Sequence, residues 1–158
     1  MNLLGIESSS RKLSVGLMKE DSFSELHSEK INDTANSLPQ LSKKIINDAS
    51  LSFENLNAIC ISSGPGSFTG LRVGMSYAKG IAMALDIPIV PVSTFDSLAY
   101  KNTCEKLSTL IYSHGNTFYV CEYSIDNGNL LKSSEPKSIL MENVLKLFAP
   151  FVPMITDE

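Results

Sequence analysis

The chain has 158 residues, of which 43% are hydrophobic and 19% are charged, and its formal net charge at pH 7 is −4. This composition is typical of an ordinary soluble globular protein. No stretch is rich in Lys and Arg, which excludes the class of proteins that hold nucleic acid through their own basic surface. An RNA substrate would therefore have to be held mainly by a partner.

Neither a targeting segment nor a membrane span is expected. The N-terminal sequence MNLLGIESSS lacks a basic region, and its apolar run is too short for a signal peptide. No segment reaches the roughly 18 apolar residues that cross a bilayer. The three cysteines are odd in number and lack CxxC spacing, which favours free thiols in a reducing compartment. We therefore expect a cytoplasmic protein that does not contact membranes.

The first 104 residues predict strands and helices in the order βββαβαβα. The first helix is expected to begin at Ser37, because Gln40 completes a capping-box pattern and Pro39 is tolerated in a first turn. Three strands in a meander, followed by strands that alternate with helices, indicate a mixed sheet with helices on its faces. The predicted segments are strands at 2–7, 12–18 and 22–29, a helix at 37–50, a strand at 55–62, a helix at 70–85, a strand at 87–92 and a helix at 93–102.

The remaining residues predict a second lobe made of strands and one short helix. A hairpin turn is expected at residues 126–129, because Asn127-Gly128 suits a turn with positive φ. Two lobes are expected, at residues 1–104 and 105–158. The second lobe is expected to be incomplete, because the sequence ends without a helix that could cover its last strand. The predicted segments are strands at 109–114, 117–125, 129–137 and 151–158, and a helix at 140–148.

The stretch GPGSFTGLRVGMSYAKG, residues 64–80, has the glycines of a phosphate-binding loop without their usual spacing. Thr69 stands where the Walker A motif needs its second glycine, and the first lysine, Lys79, lies inside the predicted helix. Gly70 comes one position too late for a dinucleotide fingerprint. Backbone N–H groups at a helix start can still bind an anion, so Gly64 and Gly66 remain candidates for cofactor binding.

The helix at 70–85 carries two apolar stripes, which predicts burial on two sides. The first stripe includes Leu71, Met75, Ala78, Ala82 and Leu85, and the second includes Val73, Tyr77, Ile81 and Ala84. Glycines four residues apart, Gly70 and Gly74, allow another helix to approach closely. Two explanations remain open: packing against the helix at 37–50, or docking of a partner protein. We favour docking, in which Gly74 would face outward.

The block GPGSFTGLRVG (64–74), continued by AKGIA (78–82) and VSTFDSLA (92–99), resembles the TsaB (YeaZ) family, relatives of the TsaD/Kae1 proteins. The opening LLGIESSSRKLSVGL (3–17) is similar to the start of that family. The likeness covers about residues 1–125. It implies an actin-like ATPase (ribonuclease H-like) fold, and a role in making N6-threonylcarbamoyladenosine at position 37 of ANN-reading tRNAs.

The resemblance further implies a non-catalytic scaffold that pairs with the transferase TsaD, is joined by the ATPase TsaE, and meets tRNA only through the complex. A homodimer is possible when the chain is alone, and ATP belongs to the partner subunits, so no cofactor of its own is expected. In the family, the first two helices make the dimer contacts. The corresponding residues here are Leu38, Leu41, Ile45, Gly70, Val73, Gly74, Tyr77 and Ile81.

Three departures from the family pattern concern mainly the second lobe. Asp33 stands where the family usually has a histidine, and Tyr112-Ser113-His114 replaces a frequent Asp-Ala-Arg. The C-terminus is several dozen residues shorter than usual. These changes do not affect the expected docking of the first lobe. They do put in doubt the recruitment of TsaE and the binding of a nucleotide in the cleft between the lobes.

Two enzymatic alternatives come from other classes of protein. The first is an active actin-fold ATPase or phosphotransferase that uses Glu7, at the end of the first strand, with the loop at 64–70. The second is a peptidase, suggested only by an old family name. Ser8, Ser9 and Ser10 have no paired base, and His27 and His114 lack a second ligand at helical spacing. The sequence therefore predicts no catalytic residue and no metal site.

Overall fold

A computed structural model gives the architecture, and it describes residues 1–100, 102, 104–126, 129–147 and 154–155. The chain divides into two compact units, Met1–Val92 and Ser93–Glu158. None of the helices in this described part combines the length and the apolar character that a membrane span requires. The first unit contains β1 (Asn2–Glu7), β2 (Ser14–Lys19), β3 (Ser22–His27), α1 (Thr34–Asp48), a short 3-10 helix (Phe53–Asn55), β4 (Ala58–Ser62), α2 (Phe68–Leu85) and β5 (Ile89–Val92).

The first unit is a five-stranded mixed sheet with the strand order β3-β2-β1-β4-β5. Strands β1, β2 and β3 pair antiparallel, and β4 and β5 continue the sheet parallel to β1. This arrangement confirms the mixed sheet that the sequence predicts and the actin-like (ribonuclease H-like) fold class that the family resemblance implies.

Two cross-strand rows of apolar side chains form the core of the first unit. The strand registers place Leu4 between Leu17 and Ile59, and Ile6 between Val15 and Ile61. All six of these side chains are at most 3% exposed. Helix α1 packs on β2 and β3, helix α2 packs on β4 and β5, and the two helices contact each other. Burying this apolar area is the main favourable contribution to folding of the unit.

Helix α1 begins earlier than the sequence predicts. It starts at Thr34, so the expected capping box at Ser37 is wrong. The Asp33 carboxylate, just before the helix, accepts hydrogen bonds from Asn36 Nδ2 at 2.7 Å and Ser37 Oγ at 3.3 Å. The Ser37 backbone N–H also donates to the Asp33 carbonyl at 3.0 Å, so Ser37 already lies inside the helix. Pro39 consequently lies in the second turn, where it is exposed.

The edge strand β3 carries an exposed aromatic ring. Phe23 is 70% exposed, and its ring lies across the strand pair on Gly16 of β2. A Cβ placed on Gly16 would come within 3.0 Å of that ring. The ring therefore fills the space that the glycine leaves.

The second unit begins at Ser93, so the helix at 93–102, which the sequence analysis assigned to the first lobe, lies in the second unit. Its sheet contains β6 (Lys106–Tyr112), β7 (Thr117–Asp126), β8 (Asn129–Lys132), β9 (Lys137–Leu140) and β10 (Met154–Ile155). The strand order is β10-β6-β7-β8, and β9 also pairs with β7. Residues 127–128, 148, 151–153 and 156–158 of the predicted turn, helix and last strand lie outside the described residues. The unit also contains the helices α3 (Thr94–Tyr100) and α4 (Met141–Leu147).

Helix α3 packs on β6 and supplies Phe95 and Ala99 to the core of the second unit. Tyr123 of β7 is 3% exposed in the same cluster, and its hydroxyl donates a 2.5 Å hydrogen bond to the Asp96 carboxylate on α3. Burial, and then the bond to Asp96, raise the pKa of Tyr123. The phenol therefore remains a neutral donor that ties α3 to the sheet.

Candidate functional site

The carboxyl ends of β1 and β4 meet at one edge of the first sheet, where open α/β sheets usually bind ligands. The turn after β1 and the loop before α2 touch there. The Ser67 backbone N–H donates to the Ser9 carbonyl at 2.5 Å, and the Ser8 N–H donates to Ser62 Oγ at 3.1 Å. These bonds hold the start of α2 directly against the end of β1.

The glycines of the 64–80 stretch make this close approach possible. A Cβ on Gly66 would overlap the Ser9 carbonyl oxygen, and a Cβ on Gly70 would overlap the Ser8 carbonyl oxygen. A Cβ on Gly74 would overlap Ser8 Oγ and come within 3.3 Å of Ile61. All three glycines thus lie against their own sheet or its turns.

The expectation that Gly74 faces outward is therefore wrong. Gly70 and Gly74 are buried together with Ala78 and Ala82 on the inner side of α2. Side chains larger than hydrogen or methyl would hold the helix away from the sheet, because the two backbones approach so closely. The glycines fit the helix to its own domain rather than to a neighbouring helix.

The structure brings two of the cofactor-binding candidates, Glu7 and Gly66, to the same edge of the sheet. Glu7 Oε1 accepts hydrogen bonds from both Ser9 N–H (2.6 Å) and Ser9 Oγ (2.5 Å). Gly64 and Gly66 have φ of +100° and +154°, which favours glycine at both positions. Of the amides in this loop, Ser67 N–H is bound by Ser9 and Gly70 N–H by Ser67 Oγ at 3.2 Å.

Within the part of the chain that the structure describes, the groups that a phosphate-transfer site needs do not converge at this edge. Lys79 lies exposed in the fourth turn of α2, far along the helix from the loop. Among the described residues, no group of three His, Cys, Asp or Glu side chains could hold a metal ion. His27 is exposed on β3, 3.9 Å from Glu25, and His114 is exposed beside Ser113.

The eight predicted interface residues divide into two groups. Leu38 and Ile45 are buried in the core of the first unit, and Gly70 and Gly74 are buried against the sheet, so these four residues cannot contact a partner directly. The other four are half-buried, one on α1 and three on one flank of α2, and the Tyr77 phenol of this flank contacts Ser42 of α1. We call this surface the helix seam: Leu41, Val73, Tyr77 and Ile81.

The helix seam is apolar with one polar group. Burial raises the pKa of the Tyr77 phenol, and the neighbouring Ser42 hydroxyl of α1 partly offsets this effect. The phenol is therefore neutral at physiological pH. Next to the seam, Gly80 and Ala84 are exposed, and the space where Gly80 would carry a Cβ is open. The seam thus offers a shallow apolar surface that another helix could cover.

The start of α2 carries a cation–π pair that the sequence analysis does not predict. Phe68 is 72% exposed, and the guanidinium carbon of Arg72 lies 5.2 Å from the centroid of its ring. The spacing of four residues on a helix predicts such a contact and could have revealed it.

Comparison with known proteins places these features in a family. The family model for TsaD, described as tRNA N6-adenosine threonylcarbamoyltransferase, matches residues 24–157. The chain is similar to the tRNA threonylcarbamoyladenosine biosynthesis protein TsaB of Bacillus subtilis (strain 168), with 28% identity covering 93% of this chain and 66% of the relative. The protein of the same name from Escherichia coli (strain K12) is 27% identical over 92% of this chain and 64% of the relative.

A solved structure, YeaZ from Pseudomonas aeruginosa, has the same fold. Its TM-score is 0.80 at 23% sequence identity, and the match covers 88% of this chain and 66% of that one. The chain thus spans about two thirds of the length of the relatives that it matches. Because the family model covers most of the chain, the chain belongs to the TsaD family of that model, and the TsaB and YeaZ proteins named above are among the relatives that it resembles.

Proposed function

We propose that the chain is a non-catalytic scaffold subunit in the biosynthesis of N6-threonylcarbamoyladenosine at position 37 of ANN-reading tRNAs. The names of the Bacillus and Escherichia relatives support this pathway. The observation that carries the scaffold role is the closed packing of the glycine loop. The loop binds its own chain: the Ser67 N–H donates to the Ser9 carbonyl and the Gly70 N–H to Ser67 Oγ, so these two amides at the start of α2 are already used and are not available to a phosphate.

The partner that we propose is the transferase TsaD, docked on the helix seam. Half-buried apolar side chains at the line between two helices suit a helix–helix contact, because a partner helix completes their burial. The proposal narrows the eight predicted interface residues to Leu41, Val73, Tyr77 and Ile81. TsaE would join this pair, ATP would be bound by the partner subunits, and tRNA would be held mainly by the assembled complex. In the absence of TsaD, a second copy of the chain would cover the same seam.

Co-elution with a TsaD homologue from the same source tests the docking. Ile81→Arg places a charge in the seam and should abolish co-elution, because the charge would be desolvated without a counterion. Met83→Arg is the matched control on the same helix, since Met83 is 84% exposed and lies outside the seam. It should leave co-elution unchanged.

Thermal unfolding of both variants separates docking from folding. Loss of the partner in Ile81→Arg at a melting temperature close to that of Met83→Arg supports the docking. Normal co-elution of a folded Ile81→Arg variant would refute it, as would equal losses in the two variants.

A further inference from the structure

The start of α2 presents an aromatic ring that the fold does not use. Phe68 is the first residue of the helix, and 72% of it is exposed. The Arg72 guanidinium contacts the ring, with 5.2 Å from its carbon to the ring centroid, and is itself exposed. Aromatic rings and guanidinium planes are the surfaces on which unpaired RNA bases stack.

Two further cations lie at the same end of the first unit. The hydrogen bond from Ser67 N–H to the Ser9 carbonyl joins the start of α2 to the turn after β1. Arg11 and Lys12 follow Ser9 by two and three residues, and both are exposed. The carboxylate of this turn, Glu7, is half-buried and already accepts two hydrogen bonds from Ser9.

The surroundings of the ring favour RNA over a protein partner. The chain neighbours of Phe68 are exposed and hydroxyl-bearing, namely Ser67 and Thr69. Protein interfaces centre on clusters of apolar side chains, whereas contacts to a nucleic-acid backbone come from Arg, Lys and hydroxyl groups. The three cations complement the phosphates of RNA, even though the whole chain has a net charge of −4.

We propose that this end of the molecule contacts an unpaired nucleotide of the tRNA. We call it the Phe68 patch: Phe68, Arg72, Arg11 and Lys12. The base stacks on the Phe68 ring, and the cations face the flanking phosphates. The inference rests on the proposed function for the identity of the RNA. With few phosphate contacts, the patch binds weakly and supports RNA that other subunits hold, because each contact adds little at physiological salt.

Titration of the ¹⁵N-labelled chain with an unmodified anticodon stem–loop RNA at low salt tests the patch. Amide shifts should be concentrated at residues 10–12 and 67–72. Phe68→Ala should weaken binding by roughly 5- to 150-fold, the range for losing one base-stacking contact. Arg72→Gln should reduce the slope of log affinity against log salt by about one.

Phe23→Ala is the matched control, because Phe23 is equally exposed at 70% but lies on Gly16 rather than beneath a cation. It should leave RNA binding unchanged. The proposal is refuted by shifts elsewhere or by no shifts. Equal effects of the two alanine variants also refute it, and so does binding to a fully paired RNA duplex as tight as to the stem–loop.

Co-elution of the same variants with the TsaD homologue distinguishes the two proposals. If RNA binding depends on Phe68 but the wild-type chain does not co-elute with the TsaD homologue, the patch is supported and the docking is refuted. Conversely, a Phe68→Ala variant that loses TsaD but retains its RNA shifts would assign the ring to a protein contact and overturn the patch.

Discussion

The Cα of Gly74 lies against the hydroxyl of Ser8, where helix α2 crosses the end of strand β1. Ser8 is fully buried, and its Oγ has no hydrogen-bond partner among the described residues. Only a hydrogen at position 74 and the small Ser8 side chain thus separate the helix from the end of the strand. This contact sets the height of α2 above the sheet and, with it, the position of the helix seam.

Enlarging Gly74 should destabilise the fold itself. Gly74→Leu would overlap Ser8 and crowd Ile61, and overpacking of this kind costs about 1–3 kcal/mol of unfolding free energy. Urea unfolding measures the loss. Gly80→Ala is the matched control in the same helix, since the space around Gly80 is open, and it should stabilise by about 0.5–1 kcal/mol. A Gly74→Leu protein with wild-type stability would show that the glycine faces outward after all.

Removing the Glu7 carboxylate should not affect any ATPase or peptidase assay of the pure chain. Its Oε1 is engaged by Ser9, and the loop at 64–70 contains no lysine in its own sequence. The variant Glu7→Ala should instead lose about 1 kcal/mol of stability, because the Ser9 donors lose their acceptor. Steady-state phosphate release and urea unfolding are the two measurements. ATP turnover that persists through further purification and disappears in Glu7→Ala would establish the phosphotransferase alternative.

The Tyr123–Asp96 bond should make stability sensitive to alkaline pH. The pKa of Tyr123 is raised in the folded chain, mainly by burial, so this contribution is complete below the pKa of an unfolded tyrosine and is lost as the pH rises above it. Above about pH 10 the loss is about 1.4 kcal/mol per pH unit for one such group. Tyr123→Phe should flatten the profile of unfolding free energy between about pH 9 and 11, a range that extends roughly one unit to either side of the ordinary tyrosine pKa.

The control for this pH experiment is Tyr100→Phe, since Tyr100 is 80% exposed. It should keep the wild-type profile. Identical profiles for Tyr123→Phe and the wild type would contradict a neutral, buried donor at position 123.

Replacing the residue that ends α2 should stabilise the protein. Asp86 has φ of +53°, a left-handed conformation that costs any residue other than glycine, and its charge lies at the negative end of the helix dipole. Asp86→Gly should therefore gain about 0.5–1 kcal/mol. Ala49→Gly at the end of α1 is the control, because Ala49 has an ordinary φ of −83° and should gain nothing. A loss of stability in Asp86→Gly would indicate a role for its carboxylate.

Most elements of the first unit could be predicted from the sequence because their signals are local. Strands β1, β2 and β4 have short apolar or alternating runs, and the period of α2 is clear over five turns. The start of α1 is not predicted because the capping-box pattern points to Ser37, whereas the Ser37 hydroxyl and N–H both donate to Asp33, which precedes the helix.

The candidate site was harder to predict because its contacts join distant parts of the chain. Gly70 and Gly74 meet Ser8 more than 60 positions earlier, so their spacing alone did not reveal which backbone they approach. The ends of parallel strands share one edge, and this rule together with the serines after β1 could have indicated the contact. The bond between Tyr123 and Asp96 has no local signal at all.

The ring of Phe23 on Gly16 couples two positions of the edge hairpin. Register pairs Gly16 with Glu25 and Phe23 with Met18, so the ring reaches its glycine along the diagonal between neighbouring strands. A slip of one residue would turn Phe23 to the opposite face of the sheet, so the contact can form in only one alignment of β2 and β3. A side chain at position 16 would displace the ring. Substitutions at 16 and 23 should accordingly be non-additive, and the hairpin should accept them together more readily than either one alone.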